Sequence, residues 1–193
     1  MKMGNTLPQR LARVVLLAAV ILALLIVAMQ FTDQMVWTRF DFAAAGALLI
    51  GTGLLYALAT TRAGNGAYRA AVAVALGAAL TLVWLNLAVG VIGTEDDRAN
   101  LMYVGVLAVG GVGAVIARLR PRGMAHALFA TALAQAVAGA IALTLRLGDP
   151  WSPPAELLLL NGVFVALFTG SGWLFRQAAR QPSSELASSG GNR

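Results

Sequence analysis

Apolar residues run along this chain in blocks that no water-soluble helix or strand requires. Residues 14–31, 42–61, 70–93, 101–117, 124–145 and 157–175 contain no Asp, Glu, Lys or Arg, and short polar or Gly/Pro-containing stretches separate them. About 20 apolar residues carry an α-helix across the hydrocarbon of a bilayer, so each block has the length of one crossing. Residues 16–29 are apolar on every side and rich in Ala and Leu, whereas a barrel strand would alternate strictly over about 10 residues. The pattern predicts an all-α, polytopic membrane bundle of about six transmembrane helices, with short connections that make sequence neighbours antiparallel. It divides the chain into a cytoplasmic N-terminal segment at 1–13, a transmembrane domain at 14–176 and a disordered cytoplasmic tail at 177–193, whose end is rich in Ser and Gly.

Composition agrees, with 59% of residues hydrophobic, 11% charged and a mean hydropathy of +0.78. A soluble domain does not have these values, because its surface must face water. The absence of cysteine removes disulfides, thiolate metal sites, iron–sulfur clusters and cysteine nucleophiles. Lys2 is the only lysine and lies outside the spans, which excludes a retinal Schiff base of the opsin type. Lys2, Arg10 and Arg13 precede the first apolar block in the manner of a secretory signal. That block is too long and lacks a small-residue cleavage site, so it reads as an uncleaved signal-anchor.

Charge then orients the spans. Lys2, Arg10, Arg13, Arg62, Arg69, Arg118, Arg120, Arg122, Arg176, Arg180 and Arg193 fall on one side, and Arg39, Arg98 and Arg146 on the other. The basic side is expected to be cytoplasmic, which puts both termini inside a bacterial inner membrane. Asp33, Asp41, Glu95, Asp96, Asp97, Asp149 and Glu156 all fall outside, leaving Glu185 as the inner acid. The pI near 11.1 would ordinarily suggest nucleic acid, but retention of cations at the inner interface accounts for it and no nucleic-acid partner is expected.

Polar chemistry is sparse. The outer acids Asp33, Asp41, Glu95, Asp96 and Asp97 form a candidate outer-face polar site with Trp84, Asn86, Asn100 and Asn161, and their oxygens would suit Ca²⁺ or Mg²⁺. No spacing resembles an EF-hand, and acids there also complement the positive ends of inward-running helices, with Asp41 and Asn100 read as N-caps. No metal and no cofactor are therefore assigned. Asn86 and Asn161 are expected at similar depths, where they meet each other or line a shallow outward cavity with Trp84. Gln135 is the deepest amide, and lipid cannot satisfy it, so it is expected to face another helix. His126, the only histidine, cannot by itself build a multi-histidine site. Trp37, Phe40, Tyr103 and Trp151 near the outer boundary, with Tyr68, Trp173 and Phe175 near the inner one, read as interfacial belts. No Ser/His pair, HExxH or buried carboxylate pair supports an enzyme.

Small residues mark packing. Gly105, Gly110 and Gly113 on the fourth span, with Ala127, Ala130, Ala134 and Ala138 on the fifth, allow backbones to approach closely, within one chain or between copies. A weak internal repeat lays 41–62 on 100–118 and 69–76 on 126–133, suggesting three helical hairpins. A parallel repeat of this kind lacks the inverted symmetry common in alternating-access carriers.

The stretches FTDQMVWTRFDFAAAGALL, VWLNLAVGVIGTEDDRANLMYVGVLAVG and RPRGMAHALFATALAQA resemble a family of small uncharacterised proteobacterial multi-pass membrane proteins. The resemblance covers roughly residues 31 to 136 and implies that the first outer loop, the TEDDRAN junction and the RPRGMA inner loop are family features. It brings no assigned activity. An acidic residue often follows the second-helix tyrosine in that family, where this chain has Ala57 after Tyr56.

The expected role is structural or accessory, stabilising or assembling a membrane complex through a membrane-protein partner or a homo-oligomer in the lipid bilayer. The alternative is a transporter or channel for a small solute or ion. Because the chain has no native cysteine, single cysteines at the termini and in the Asp96, Arg120 and Asp149 loops report sidedness cleanly. An impermeant external reagent should label Asp96→Cys and Asp149→Cys and spare Arg120→Cys and both termini; termini on opposite sides would refute six crossings.

Overall fold

The computed structural model describes residues 7–29, 38–61, 65–94 and 96–180. These residues form six α-helices and no strand: α1 Leu7–Met29, α2 Arg39–Ala59, α3 Gly66–Ala88, α4 Leu101–Ala117, α5 Pro121–Thr144 and α6 Pro154–Arg180. A 3₁₀ turn at Arg98–Asn100 leads into α4. Five helices, α2 to α6, are long and apolar enough to cross a membrane, and the described apolar stretch of α1, Ala12–Leu24, is shorter. Helices outrun the apolar blocks: α1 begins before residue 14, and α6 continues past 175 to Arg180. The backbone ladder need not stop where hydrocarbon stops, because charged side chains are tolerated at the interface.

The chain divides into two compact units, Met1–Thr61 and Arg62–Arg193. In the first, α1 packs against α2. Helix α2 opens with a capping box: Thr38 Oγ1 accepts from the Asp41 amide (3.3 Å), and the Asp41 carboxylate accepts from the Thr38 amide (2.7 Å). The N-cap is thus Thr38, and Asp41 stands three residues inside it. Of the α2 glycines, Gly53 matters most, since a Cβ there would collide with the Val14 side chain.

In the second unit α6 lies between α3 and α5, and α4 packs on the other flank of α5. The α4–α5 hairpin is therefore one member of a continuous row in which α3 and α5 share α6. Hydrogen bonds at the two ends fix the directions. Tyr68 at the start of α3 bonds Leu119 after α4, and Gly93 after α3 bonds Ser152 before α6. Consecutive helices consequently run antiparallel.

Buried positions follow the spacing of helix seams. On α6 they are Leu157, Asn161, Phe164, Phe168, Ser171, Phe175 and Ala178, alternating steps of four and three that keep one face turned inward, with Gly172 beside them. On α4, Tyr103 and Val106 begin a seam that continues through Gly110 and Gly113. A Cβ on Gly113 would stand 2.7 Å from the Ala127 Cβ, and one on Gly110 would stand 3.1 Å from the Thr131 hydroxyl. Gly105 departs from the expected packing set. It sits two residues, about 200° of helix turn, beyond Tyr103 and off the seam, and a Cβ there would meet nothing within 4 Å. Ala130 likewise faces outward on α5, whereas Ala127 and Ala138 are buried.

Close packing at these glycines makes a graded prediction. Gly113→Ala and Gly110→Leu should each lower thermal stability in detergent by about 1–3 kcal/mol through overpacking, whereas Gly105→Ala should leave it unchanged or raise it. Equal effects at all three positions would contradict the α4–α5 seam.

Candidate functional site

Two polar side chains of the second unit, Tyr103 and Gln135, converge on a third, Asn161. Its carbonyl oxygen accepts from the Tyr103 hydroxyl on α4 (3.1 Å) and from the Gln135 amide on α5 (3.0 Å). Its own amide donates to the Leu157 carbonyl one turn back (2.8 Å). All three residues are buried, Gln135 completely. The arrangement is directional. Because the Asn161 amide is committed to Leu157, its oxygen must face the two donors, and Gln135 must present nitrogen. The Gln135 carbonyl is thereby turned away and has no partner among the described residues. Space for this node comes from Gly139, where a Cβ would lie 2.8 Å from Asn161.

A second polar assembly closes the end where α3 meets α4. Helix α3 ends at Ala88, and Gly90 just beyond its cap, with a positive φ of 76°, sends its amide back to the Leu85 carbonyl (2.9 Å). The loop then turns inward and buries Val91 and Ile92. Asn100 holds it. The Asn100 oxygen accepts from the Val91 and Ile92 amides (3.0 and 2.9 Å), and its nitrogen donates to the Ile92 and Thr94 carbonyls (3.0 and 2.7 Å). Asn100 occupies the N-cap position of α4 but makes no capping bond, because the preceding 3₁₀ turn leaves its amide free for the loop. Ser152 joins α6 to the same loop by accepting from the Gly93 amide (3.0 Å).

The opposite end is tied by Tyr68, which donates to Leu119 (2.8 Å) and packs edge-on against Phe175 with ring centroids 5.2 Å apart. Asn65 caps α3 through the Tyr68 amide (2.8 Å) and donates to Ala178 on α6 (3.1 Å). Deeper in the bundle, Ser171 donates to the Ala71 carbonyl (2.8 Å), linking α6 to α3.

Several of the predicted outer-face residues are engaged locally. Asp33 and Glu95 lie outside the described residues. Asp41 serves the α2 capping box, Asp97 accepts from the Ala99 amide (2.8 Å), and Asp96 is exposed. Asn86 does not meet Asn161; its nitrogen donates to Leu82 on its own helix (2.7 Å), and its oxygen is buried without a partner among the described residues. Trp84 is half-buried on α3. No three His, Cys, Asp or Glu side chains converge to hold a metal among the described residues.

The aromatic belts need correction. Phe40, Trp151 and Trp173 are exposed as belts require, but Tyr68, Tyr103 and Phe175 are buried in the packing. Trp37 lies outside the described residues. The links made by Tyr103, Ser171, Tyr68 and Asn65 were not anticipated. The seam spacing that sets Tyr103 three residues before Val106, and Asn161 four after Leu157, is the signal that would have placed two of the groups inside.

No protein-family model, curated protein or solved structure matches the chain.

The Asn161 node predicts an order of costs. Tyr103→Phe removes one bond and should cost about 0.6–2 kcal/mol, whereas Asn161→Ala leaves two buried donors unpaired and should cost more. Thermal or denaturant unfolding in detergent measures both, and Tyr103→Phe being the more costly would refute the node.

Proposed function

We propose that this chain is a bacterial inner-membrane protein of structural or accessory type that stabilises or assembles a larger membrane complex, crossing six times with both termini in the cytoplasm. The observation that carries the role is the Asn161 node, where amide and hydroxyl groups within the membrane tie helix to helix rather than line a path. Outward positions are apolar, including Val104, Val112 and Ile116 on α4 and Leu158, Leu159 and Val163 on α6. They suit lipid, a membrane-protein partner or a second copy.

The sixth crossing rests on the uncharged apolar run of residues 14–31, whose 18 residues correspond to about 27 Å of helix, close to a hydrocarbon core of about 30 Å. Sidedness rests on charge. Arg69, Arg118, Arg120, Arg122, Arg176 and Arg180 belong to the Tyr68 end of the second unit, and Asp96, Asp97, Asp149 and Glu156 to the Asn100 end.

A second reading, passage of a small solute or ion, is favoured by the unpaired carbonyls of Asn86 and Gln135, which could accept from a donor or coordinate a cation. Purification from native membranes separates the two. A stoichiometric partner retained in mild detergent is the expected result, whereas solute or ion flux by the pure protein in liposomes would overturn the accessory role.

A further inference from the structure

The connection from α4 to α5 and the first turn of α5 carry three arginines in alternation, Arg118, Arg120 and Arg122, all exposed. At the same end of the second unit stand Arg69, Arg176 and Arg180, and no carboxylate belongs to that end among the described residues. Arg176 is already engaged over the Phe129 ring, 5.7 Å from its centroid. The backbones of Arg118 and Arg120 are hydrogen-bonded within the turn, but the guanidinium groups of these three arginines have no hydrogen-bond or ion-pair partner among the described residues. Clustered guanidinium groups repel one another, and at a membrane surface the anion available in quantity is the phosphate of a phospholipid.

The turn that presents them is built rather than loose. Arg118 and Leu119 both adopt left-handed backbone, with φ of 49° and 58°. The Leu119 carbonyl between the arginines is held by the Tyr68 hydroxyl from α3 (2.8 Å). At its base α4 and α5 touch so closely that a Cβ on Gly123 would lie 2.8 Å from the Ala117 Cβ. The first turn of α5 has no side-chain cap, so its amides add to the positive field.

We propose that the α4–α5 turn is a binding site for an anionic phospholipid headgroup, with Arg118, Arg120 and Arg122 as its phosphate ligands and Tyr68 as the residue that positions the turn. Each guanidinium offers a planar fork of donors that matches phosphate oxygens in pairs, and the Tyr68 bond reduces the ordering needed to use all three. The site requires only that this end of the unit lie at the membrane surface, and it holds whether the protein scaffolds or transports.

The test uses the full chain in neutral detergent, with thermal unfolding followed as phosphatidylglycerol, phosphatidylcholine or inorganic phosphate is added. Phosphatidylglycerol should stabilise the protein where phosphatidylcholine does not. Arg118→Gln/Arg120→Gln/Arg122→Gln should weaken the apparent affinity by on the order of a hundredfold. Arg69→Gln/Arg176→Gln/Arg180→Gln, which removes the same charge from the same end, should retain most of it. Tyr68→Phe should weaken the response while leaving every charge in place. Equal losses in the two triple variants would reduce the effect to diffuse charge and overturn the proposal, as would an equal response to inorganic phosphate. Native mass spectrometry of the unaltered protein adds a readout independent of folding in the variants: one phosphatidylglycerol should survive activation that strips phosphatidylcholine, and its absence overturns the site.

Discussion

Hydrocarbon supplies no hydrogen-bond partner, so every polar atom carried into the bilayer must find one in the protein or remain unmade at a cost. The second unit is organised by that constraint. Asn161 gathers a hydroxyl from α4 and an amide from α5 onto one oxygen while returning its own amide to α6, so a single side chain relates three helices. Ser171, further along the same face of α6, extends the linkage to α3 through the Ala71 carbonyl. Gly139 and Gly113 then act as clearances, since a methyl at either position would press on Asn161 or Ala127. Polar ties fix which helices meet, and small residues let them meet closely.

The two ends of the unit repeat this logic with different chemistry. At one, Asn100 uses both functions of its amide to fold the Val91–Thr94 segment inward, burying Ile92 and joining the start of α4 to the end of α3. At the other, Asn65 and Tyr68 bind the terminal carbonyls of α6 and the α4–α5 turn. Backbone groups at helix ends have no partner in their own helix, and these side chains bring them together across the bundle. Charge leans the same way: the described carboxylates of the unit stand at the Asn100 end beside Arg98 and Arg146, and Arg69, Arg118, Arg120, Arg122, Arg176 and Arg180 stand at the Tyr68 end.

The spans were legible in the sequence because a crossing helix needs only length and apolarity, and both can be counted along residues 42–61 or 157–175 without knowing any neighbour. Which face of each helix turns inward was less legible. Helices apolar on all sides carry no amphipathic signal, so Gly105 and Gly113 look alike in sequence although only Gly113 lies on the α4 seam. Tyr103 and Phe175 stood near predicted interfaces, where tyrosine and phenylalanine commonly anchor depth, yet the same aromatic area is as useful in the packing. Asn86 and Asn161 were paired on depth alone. Depth is one coordinate of three, and rotation about the helix axis turned Asn86 to its own backbone and Asn161 to Gln135. The outer acids were legible as helix-end and loop ligands, since Asp41 and Asp97 do accept backbone amides.

The unmade acceptor of Gln135 shows why such a node is worth its cost. Ala, Gly and Leu surfaces slide past one another with little change in packing energy, so a bundle built from them alone specifies neighbours better than register. A hydrogen bond is steeply directional, and a one-residue slip of α5 against α6 would rotate Gln135 by about 100° and leave its amide and one Asn161 lone pair unpaired. Apolar replacement could satisfy the burial of this site without that penalty for misalignment. Retaining a glutamine with one function bonded and the other unpaired trades some stability for a single alignment of α4, α5 and α6. The same ties leave apolar positions such as Val104 and Ile116 on α4 and Leu158 on α6 facing outward, where they meet surroundings that supply no hydrogen bond.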